Sequence, residues 1–369
     1  MVKNYIFYIK LDMKFFSHFR CNIPQKYQHE IENLDNDKFY EKYRDVILSC
    51  YFNGKNDPIH HEELNDKKQP SDNYNYIKPL YETVKKNNLH LIIFHDCLSP
   101  EFIKKYQTDK IIFRKTSLVS KLSINDERFI IYYEYLKNKP YRNVLSSDIS
   151  DVYINKNPFD LIKNYDKRDE KLVEEIEKLD LLNKDELKEP ILENKTLKHF
   201  MNYNSTYITN KELKFIFNNI VHKHSEEKYK IFIGTNSLNY QEYEKIPPWF
   251  ERRMKKFECF NFMLNTVDRF PLFKIGDYQI YNPGTIMANY YSYMCFIRQM
   301  IEVLIVLTKY KEGDNWNMMI ATYLVTTFLM EDYNPKNACS RYIYTGYPFN
   351  SLYKRREILG KSPNCLIHK

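Results

Sequence analysis

The segment RNVLSSDISDVYI, residues 142–154, places two carboxylates directly after a short apolar run. The apolar residues before Asp148 predict a buried strand over residues 142–146. Asp148 and Asp151 therefore follow the end of a strand. Open α/β sheets bind their ligands at that end of their strands, so these two acids are the first candidates for a functional site.

The residues upstream of this segment alternate between apolar runs and helical stretches. Residues 45–52 form an apolar run that ends at an Asn-Gly turn, and the helical stretch 74–86 leads into a second apolar run at 90–94. A third run, 110–114, precedes a helical stretch at 126–137. Strands that alternate with helices predict an α/β fold with a mainly parallel, doubly wound sheet flanked by helices.

The chain divides into an N-terminal extension and one large domain. Residues 1–40 are polar and aromatic without clear periodicity, and we expect them to pack on a domain that spans 41–369. Between about 161 and 208 the composition becomes dense in alternating charges with leucines at helical spacing, which predicts a solvated helical insertion. The strand and helix pattern resumes at residues 229–234.

Composition and charge narrow the class of protein. With 43% hydrophobic and 28% charged residues, the 369-residue chain is typical of a globular protein. The net charge of +8 comes from scattered lysines and arginines, which disfavours nucleic-acid binding. A mild positive charge suits anionic small molecules such as nucleoside diphosphates, but solvated surface lysines explain it equally well.

Cysteine spacing and apolar segments bear on location. The 7 cysteines lie far apart without a CxxC pair, which predicts neither a zinc ribbon nor a disulfide framework and favours a cytoplasmic location. Charged residues interrupt the N-terminal apolar stretch, so no signal peptide is predicted. The apolar segments 294–307 and 318–330 are shorter than the roughly 18 residues of a membrane span, and we expect two core helices.

Two aspartates at a strand end have a plain chemical use. Hard divalent cations such as Mn²⁺ or Mg²⁺ take oxygen ligands, and a bound cation can bridge the phosphates of a diphosphate. The chain has only 7 Gly and no Gly-rich phosphate loop, so a metal is the expected means of neutralising phosphate. The alternative for Asp148 and Asp151 is an Asx turn or a helix N-cap.

The segment SSDISDVYINKNPF resembles the D-x-x-D segment of GT-A glycosyltransferases, above all the viral, algal and collagen-glucosyltransferase-like group. Other segments resemble that group in the same order along the chain. They are the donor strand and loop at 48–58, LIIFHD ending at Asp96, YNPGTIM at 281–287, GDNW at 313–316, TGYPFNS at 345–351 and CLIH at 365–368. Pro283 and Asn315 depart from the group's usual residues.

The resemblance implies a set of site residues. Asp148, Asp151 and His368 would hold Mn²⁺ or Mg²⁺, and Asp314 would act at the reacting centre. The residues implied to bind the nucleotide-sugar donor are Tyr51, Phe52, Asp57, Asp96, Asp148, Asn282, Gly284 and Lys369.

The expected function is transfer of a sugar from a nucleoside diphosphate sugar, a UDP-sugar by preference, to a hydroxyl of a glycan or protein acceptor. The alternative is a catalytically silent module of the same fold that binds a glycan or a partner protein. The sequence does not determine the sugar, the acceptor, the stereochemical outcome or the oligomeric state.

Overall fold

The computed structural model describes residues 21, 23–32, 39–54, 72–118, 122–163, 230–235, 281–310, 315–325, 343–344, 350–352 and 366–368. Within these ranges, seven strands form a main sheet and three form a smaller one. The strands are β1 (Asp45–Tyr51), β2 (Leu91–His95), β3 (Ile111–Lys115), β4 (Asn143–Ser147), β5 (Val152–Ile154), β6 (Ile231–Thr235), β7 (Tyr281–Asn289), β8 (Ile343–Tyr344), β9 (Asn350–Leu352) and β10 (Leu366–His368). The helices are α1 (Phe39–Lys42), α2 (Tyr74–Lys86), α3 (Pro100–Tyr106), α4 (Ile124–Leu136), α5 (Phe159–Lys163), α6 (Tyr290–Tyr310) and α7 (Asn317–Leu324).

The main sheet has the strand order β3-β2-β1-β4-β7-β6-β8. Strands β3, β2, β1 and β4 are parallel neighbours, and β6 and β8 are also parallel. Strand β7 runs antiparallel to β4 and to β6. The predicted α/β fold with a mainly parallel sheet is therefore confirmed.

Both faces of the sheet are covered, which explains the continuous apolar strands. All five residues of β2 are buried, as expected for a parallel strand between two layers of helices. Along β1, Val46 and Leu48 belong to the core shared with α4, α6 and α7. The intervening Ile47 belongs to the core shared with α2 and the smaller sheet. This alternation is the two-residue period of a strand.

The smaller sheet has the order β5-β10-β9 and lies against α2. Its attachment is polar as well as apolar. The Ile154 N–H donates to Thr83 Oγ1 at 3.0 Å, and the Asn87 side-chain amide donates to the Ile154 carbonyl at 2.9 Å. Strand β5 follows the D-x-x-D segment within one residue, so the position of this sheet relative to α2 bears directly on the candidate site.

Several predicted elements coincide closely with the observed ones. Helix α2 has the predicted bounds, 74–86. Helix α4 begins two residues earlier than predicted because Ser123 caps it: Ser123 Oγ accepts a hydrogen bond from the Asp126 N–H at 3.2 Å. In α6, the stretch Tyr290–Thr308 is long and apolar enough to cross a membrane, but 94% of it is buried inside the protein, as in the core helix that was predicted.

The described part of the N-terminal extension packs on the domain. Tyr27 is fully buried in the core beside α4. The Glu32 N–H donates to the Lys115 carbonyl at 2.8 Å, and the Ser117 N–H donates to the Glu30 carbonyl at 3.0 Å. The segment therefore runs along the edge of β3. The predicted insertion at 161–208 falls outside the described residues from 164 onward.

Candidate functional site

A pocket opens at the carboxyl ends of β1 and β4, which are neighbours in the sheet although two other strands separate them in the chain. The strand order reverses there, and open α/β sheets bind ligands at such a point. Residues from β1, β4, α2 and α4 enclose the pocket. Its walls are Cys50, Phe52, Tyr76, Ile124, Asn125, Arg128, Ser147, Asp148, Ile149, Ser150 and Asp151.

Asp148 and Asp151 both line this pocket. Asp148 is the first residue after β4, and its N–H donates to the Gly284 carbonyl at 2.7 Å. Asp151 directly precedes β5. Each residue is half-buried. The backbone of both is held by the sheets on either side, so the two carboxyl groups are kept at the edge of one cavity.

Arg128 of α4 forms an ion pair with Asp148 and is a site residue that the sequence did not reveal. Its Nη2 also lies 3.5 Å from the Pro283 carbonyl oxygen. Burial disfavours the charged guanidinium, but the Asp148 carboxylate, together with Tyr132 and Cys50, more than offsets this and raises the pKa of Arg128. The sequence feature that could have pointed to Arg128 is the polar run NDER, residues 125–128, in the first turn of an otherwise apolar helix.

Asn125 of the same helix turn also lines the pocket. Its side-chain Nδ2 is buried, and it has no hydrogen-bond partner among the described residues. Helix α4 therefore offers two nitrogen donors to the pocket, the Asn125 amide and the Arg128 guanidinium. Both suit an anionic or hydroxyl-rich ligand.

Strand β7 brings Gly284 next to Asp148 and carries Asn282 two residues earlier. The Asn282 Oδ1 accepts a hydrogen bond from the Gly284 N–H at 2.8 Å. The pairing of β6 with β7 jumps from Ile286 to Asn282, so Pro283 lies in the irregular part of the strand. A proline lacks the N–H that a regular ladder needs, and such an irregularity accommodates it.

The predicted third metal ligand, His368, is brought close to Asp151 through the backbone. In the smaller sheet His368 pairs with Val152, the residue that follows Asp151, and Leu366 pairs with Ile154. Residues paired across an antiparallel ladder lie about 5 Å apart at their Cα atoms. The side chain of His368 lies outside the described part of the structure.

The loop after β1 is held by Asp96, which follows β2. The Asp96 carboxylate accepts hydrogen bonds from the N–H groups of Asn53, at 3.0 Å, and Gly54, at 2.5 Å. Tyr51 is buried, and its hydroxyl accepts a hydrogen bond from the Asn73 N–H at 3.3 Å. Asp96 therefore holds the loop that follows Phe52, whereas Tyr51 contacts the residue before α2. Of Asp96, Tyr51 and Phe52, only Phe52 lines the Asp148 pocket.

A second, larger cavity of about 910 Å³ lies beside this loop. It is bounded by the ends of β2 and β3 and by the N-terminal segment. Its lining residues are Glu30, Ile31, Glu32, Gly54, Asp96, Lys115, Thr116, Ser117 and Leu118. Gly54 lines this cavity and Phe52 lines the Asp148 pocket, so residues 52–54 border both.

The start of α7 is joined to α4 by Asp126. Both carboxylate oxygens accept from the Trp316 N–H, at 3.1 Å and 2.9 Å. Burial raises the pKa of Asp126 to about 6. Asp314, the predicted catalytic residue, lies outside the described residues, as do Asp57 and Lys369, whereas Asn315 is described and buried.

The side chains of the pocket supply part of the ligand set that a hard cation needs. Among the side chains that the structure describes, no three His, Cys, Asp or Glu residues come together as a complete metal site. Asp148 and Asp151 supply carboxylate oxygens on one cavity wall, which is the chemistry that Mn²⁺ and Mg²⁺ require. Further ligands would come from His368 and from the phosphates of a bound nucleotide.

Comparison with known proteins yields weak structural similarity and no match in sequence. No family model matches the chain, and no curated protein matches it. Among solved structures, the chain is similar to the galactosyltransferase LgtC in complex with donor and acceptor sugar analogues, with 10% identity over 88% of this chain and 86% of that one. The TM-score is 0.34, and a similarity of this size does not assign the chain to a family.

Proposed function

We propose that the protein is a metal-dependent glycosyltransferase of the GT-A type that transfers a sugar from a nucleoside diphosphate sugar, a UDP-sugar by preference, to a hydroxyl of a glycan or protein acceptor. One observation carries the proposal. Asp148 and Asp151 share a pocket at the point where the strand order reverses, and the strand that ends at His368 pairs with the strand that follows Asp151.

The charges around the pocket suit a diphosphate. A divalent cation held by Asp148, Asp151 and His368 would neutralise the diphosphate leaving group. The Arg128 guanidinium lines the same pocket and stays positively charged, so it adds a cation of the protein's own. Arginine binds phosphate oxygens through paired N–H groups.

The loop after β1 suits the nucleoside. Phe52 offers an aromatic wall to the Asp148 pocket, and the larger cavity lined by Gly54 has room for a base. Asp96 fixes the loop through the N–H groups of Asn53 and Gly54. In this proposal Asp96 supports donor binding by holding the loop in place.

The catalytically silent alternative rests on the ion pair of Arg128 with Asp148, which compensates the Asp148 charge without a metal. A silent module would not need Mn²⁺ to bind UDP. The two functions therefore differ in the metal dependence of nucleotide binding.

The test combines binding and turnover on the full-length protein. We expect UDP to raise the melting temperature in Mn²⁺ but not in EDTA, and at least one nucleotide sugar to be hydrolysed or transferred. Asp151→Asn should abolish the Mn²⁺-dependent shift and the turnover. Asp109→Asn is the matched control, because Asp109 is 68% exposed and precedes the edge strand β3. It therefore lies at the amino end of that strand, whereas the pocket lies at the carboxyl ends of β1 and β4.

Metal-independent UDP binding without turnover would favour the silent module. A full panel of nucleotide sugars without turnover, together with no UDP binding in either condition, would reject the donor site itself.

A further inference from the structure

Helix α7 begins without a capping side chain of its own. The residue at its N-cap position is Trp316, which makes no side-chain capping hydrogen bond. The first N–H groups of a helix have no partner within the helix and need an acceptor from elsewhere. In this protein the acceptor comes from another helix, because the Asp126 carboxylate of α4 accepts the Trp316 N–H with both oxygens, at 3.1 Å and 2.9 Å.

The same turn of α4 faces the Asp148 pocket. Asn125 and Arg128 line the pocket, and Arg128 is paired with Asp148. Asp126 lies between these two residues in the chain. One helical turn therefore contacts the D-x-x-D segment through Arg128 and the start of α7 through Asp126. A displacement of that turn would move both segments together.

We propose that Asp126 is a positioning residue that holds the start of α7, including the buried Asn315, in register with the Asp148 pocket. This inference rests on the proposed glycosyltransferase function. In this proposal Asp126 contacts neither the donor nor the metal, and it acts by fixing the segment that leads into α7. Asn315 Oδ1 accepts from Asn317 Nδ2 at 2.6 Å, so the segment that Asp126 holds is itself internally bonded.

The electrostatics of Asp126 argue for a role beyond stability. Asp126 is 1% exposed, and burial raises its pKa from 3.8 to about 6. A carboxyl group with a raised pKa gives its full stabilisation below pH 3.8 and loses it as the pH rises through 6. At neutral pH the ionised Asp126 therefore makes the fold less stable than the protonated form would.

The experiment compares Asp126→Asn and Asp126→Ala with Glu127→Gln. Glu127 is the adjacent acid on α4, is equally buried and faces His29, with Oε1 at 2.8 Å from His29 Nε2. Asn keeps one acceptor oxygen and Ala keeps none. We expect kcat to fall about tenfold in Asp126→Asn and about a hundredfold in Asp126→Ala. Small displacements of groups near a reacting centre have effects of this size. Glu127→Gln should leave kcat within twofold.

Two readouts separate positioning from general damage. The affinity for UDP with Mn²⁺ should stay within twofold in Asp126→Asn, while amide hydrogen exchange at Trp316 and Asn317 should accelerate at least tenfold over wild type. The proposal is overturned if kcat of Asp126→Asn matches that of Glu127→Gln, or if the Trp316 amide keeps its protection. A wild-type protein that is inactive with every donor would refute the proposed function, and the exchange measurement would then decide separately whether Asp126 anchors α7.

Discussion

Arg128 on helix α4 and Asp148 at the end of β4 form an ion pair at the wall of the candidate site, with side chains 11% and 26% exposed. The pair joins a helix to the strand end where the sheet order reverses. It also determines how much negative charge Asp148 presents to a cation. Arg128 is therefore expected to affect metal affinity and nucleotide affinity in opposite directions.

Arg128→Met should raise the affinity of the nucleotide-free protein for Mn²⁺, by about tenfold, because a positive charge next to a metal ligand is removed. The same substitution should weaken Mn²⁺-dependent binding of UDP, since a phosphate partner is lost. Isothermal titration of Mn²⁺ alone and of UDP in Mn²⁺ measures both effects. Arg128→Lys keeps the charge and is the control, and weaker Mn²⁺ binding by Arg128→Met would contradict the assigned role.

Gly54→Ala should destabilise the protein by about 1–3 kcal/mol, a typical cost of forcing extra atoms into a packed site. A Cβ atom at Gly54 would lie 2.6 Å from Asp96 Oδ2 and 3.3 Å from Leu118 Cδ1, so the carboxylate that holds the loop would have to move. Urea denaturation gives the change in the free energy of unfolding.

A double-mutant cycle identifies the cause of the Gly54→Ala effect. In an Asp96→Ala background the close oxygen is absent, so Gly54→Ala should cost less than half as much as in wild type. An equal cost in both backgrounds would show that contact with Asp96 is not the origin of the strain.

His95 should make the fold sensitive to acid. Burial lowers its pKa to about 4, and its Nδ1 accepts a hydrogen bond from the Leu98 N–H at 3.2 Å. A lowered pKa means that the contribution of neutral His95 is fully present above pH 6.5 and is lost as the pH falls towards 4. The loss over this range should be on the order of 3 kcal/mol.

His95→Asn keeps an acceptor near the Nδ1 position and does not titrate. The free energy of unfolding, measured by urea denaturation at pH 7.5 and at pH 4.5, should fall more in wild type than in the variant. Asp126 titrates in the opposite sense, so the quantity to compare is the difference between the two proteins at each pH. Parallel pH profiles would show that His95 is not the acid-sensitive group.

The sequence predicted the main sheet well because its strands are buried on both faces. Continuous apolar runs such as 90–94 are distinct from the helical stretches between them, and the observed strand, Leu91–His95, differs by one residue. The acids after β4 were also identified from the sequence, since polar residues that end a buried strand stand out. The donor-binding roles of Asp148, Asn282 and Gly284 stay predictions, and the structure adds that the Asp148 N–H donates to the Gly284 carbonyl beside the pairing of β4 and β7.

Only the tertiary structure showed that Arg128 lines the pocket and that Asp126 joins α4 to the start of α7. Each contacts a segment distant in the chain, Asp148 or Trp316, and such contacts depend on how helices pack against a sheet. Local sequence patterns report burial and periodicity, which are properties of neighbouring residues. In the sequence, a charged residue of a helix cannot be told from an ordinary surface residue. Its role becomes visible only when the fold brings its partner close.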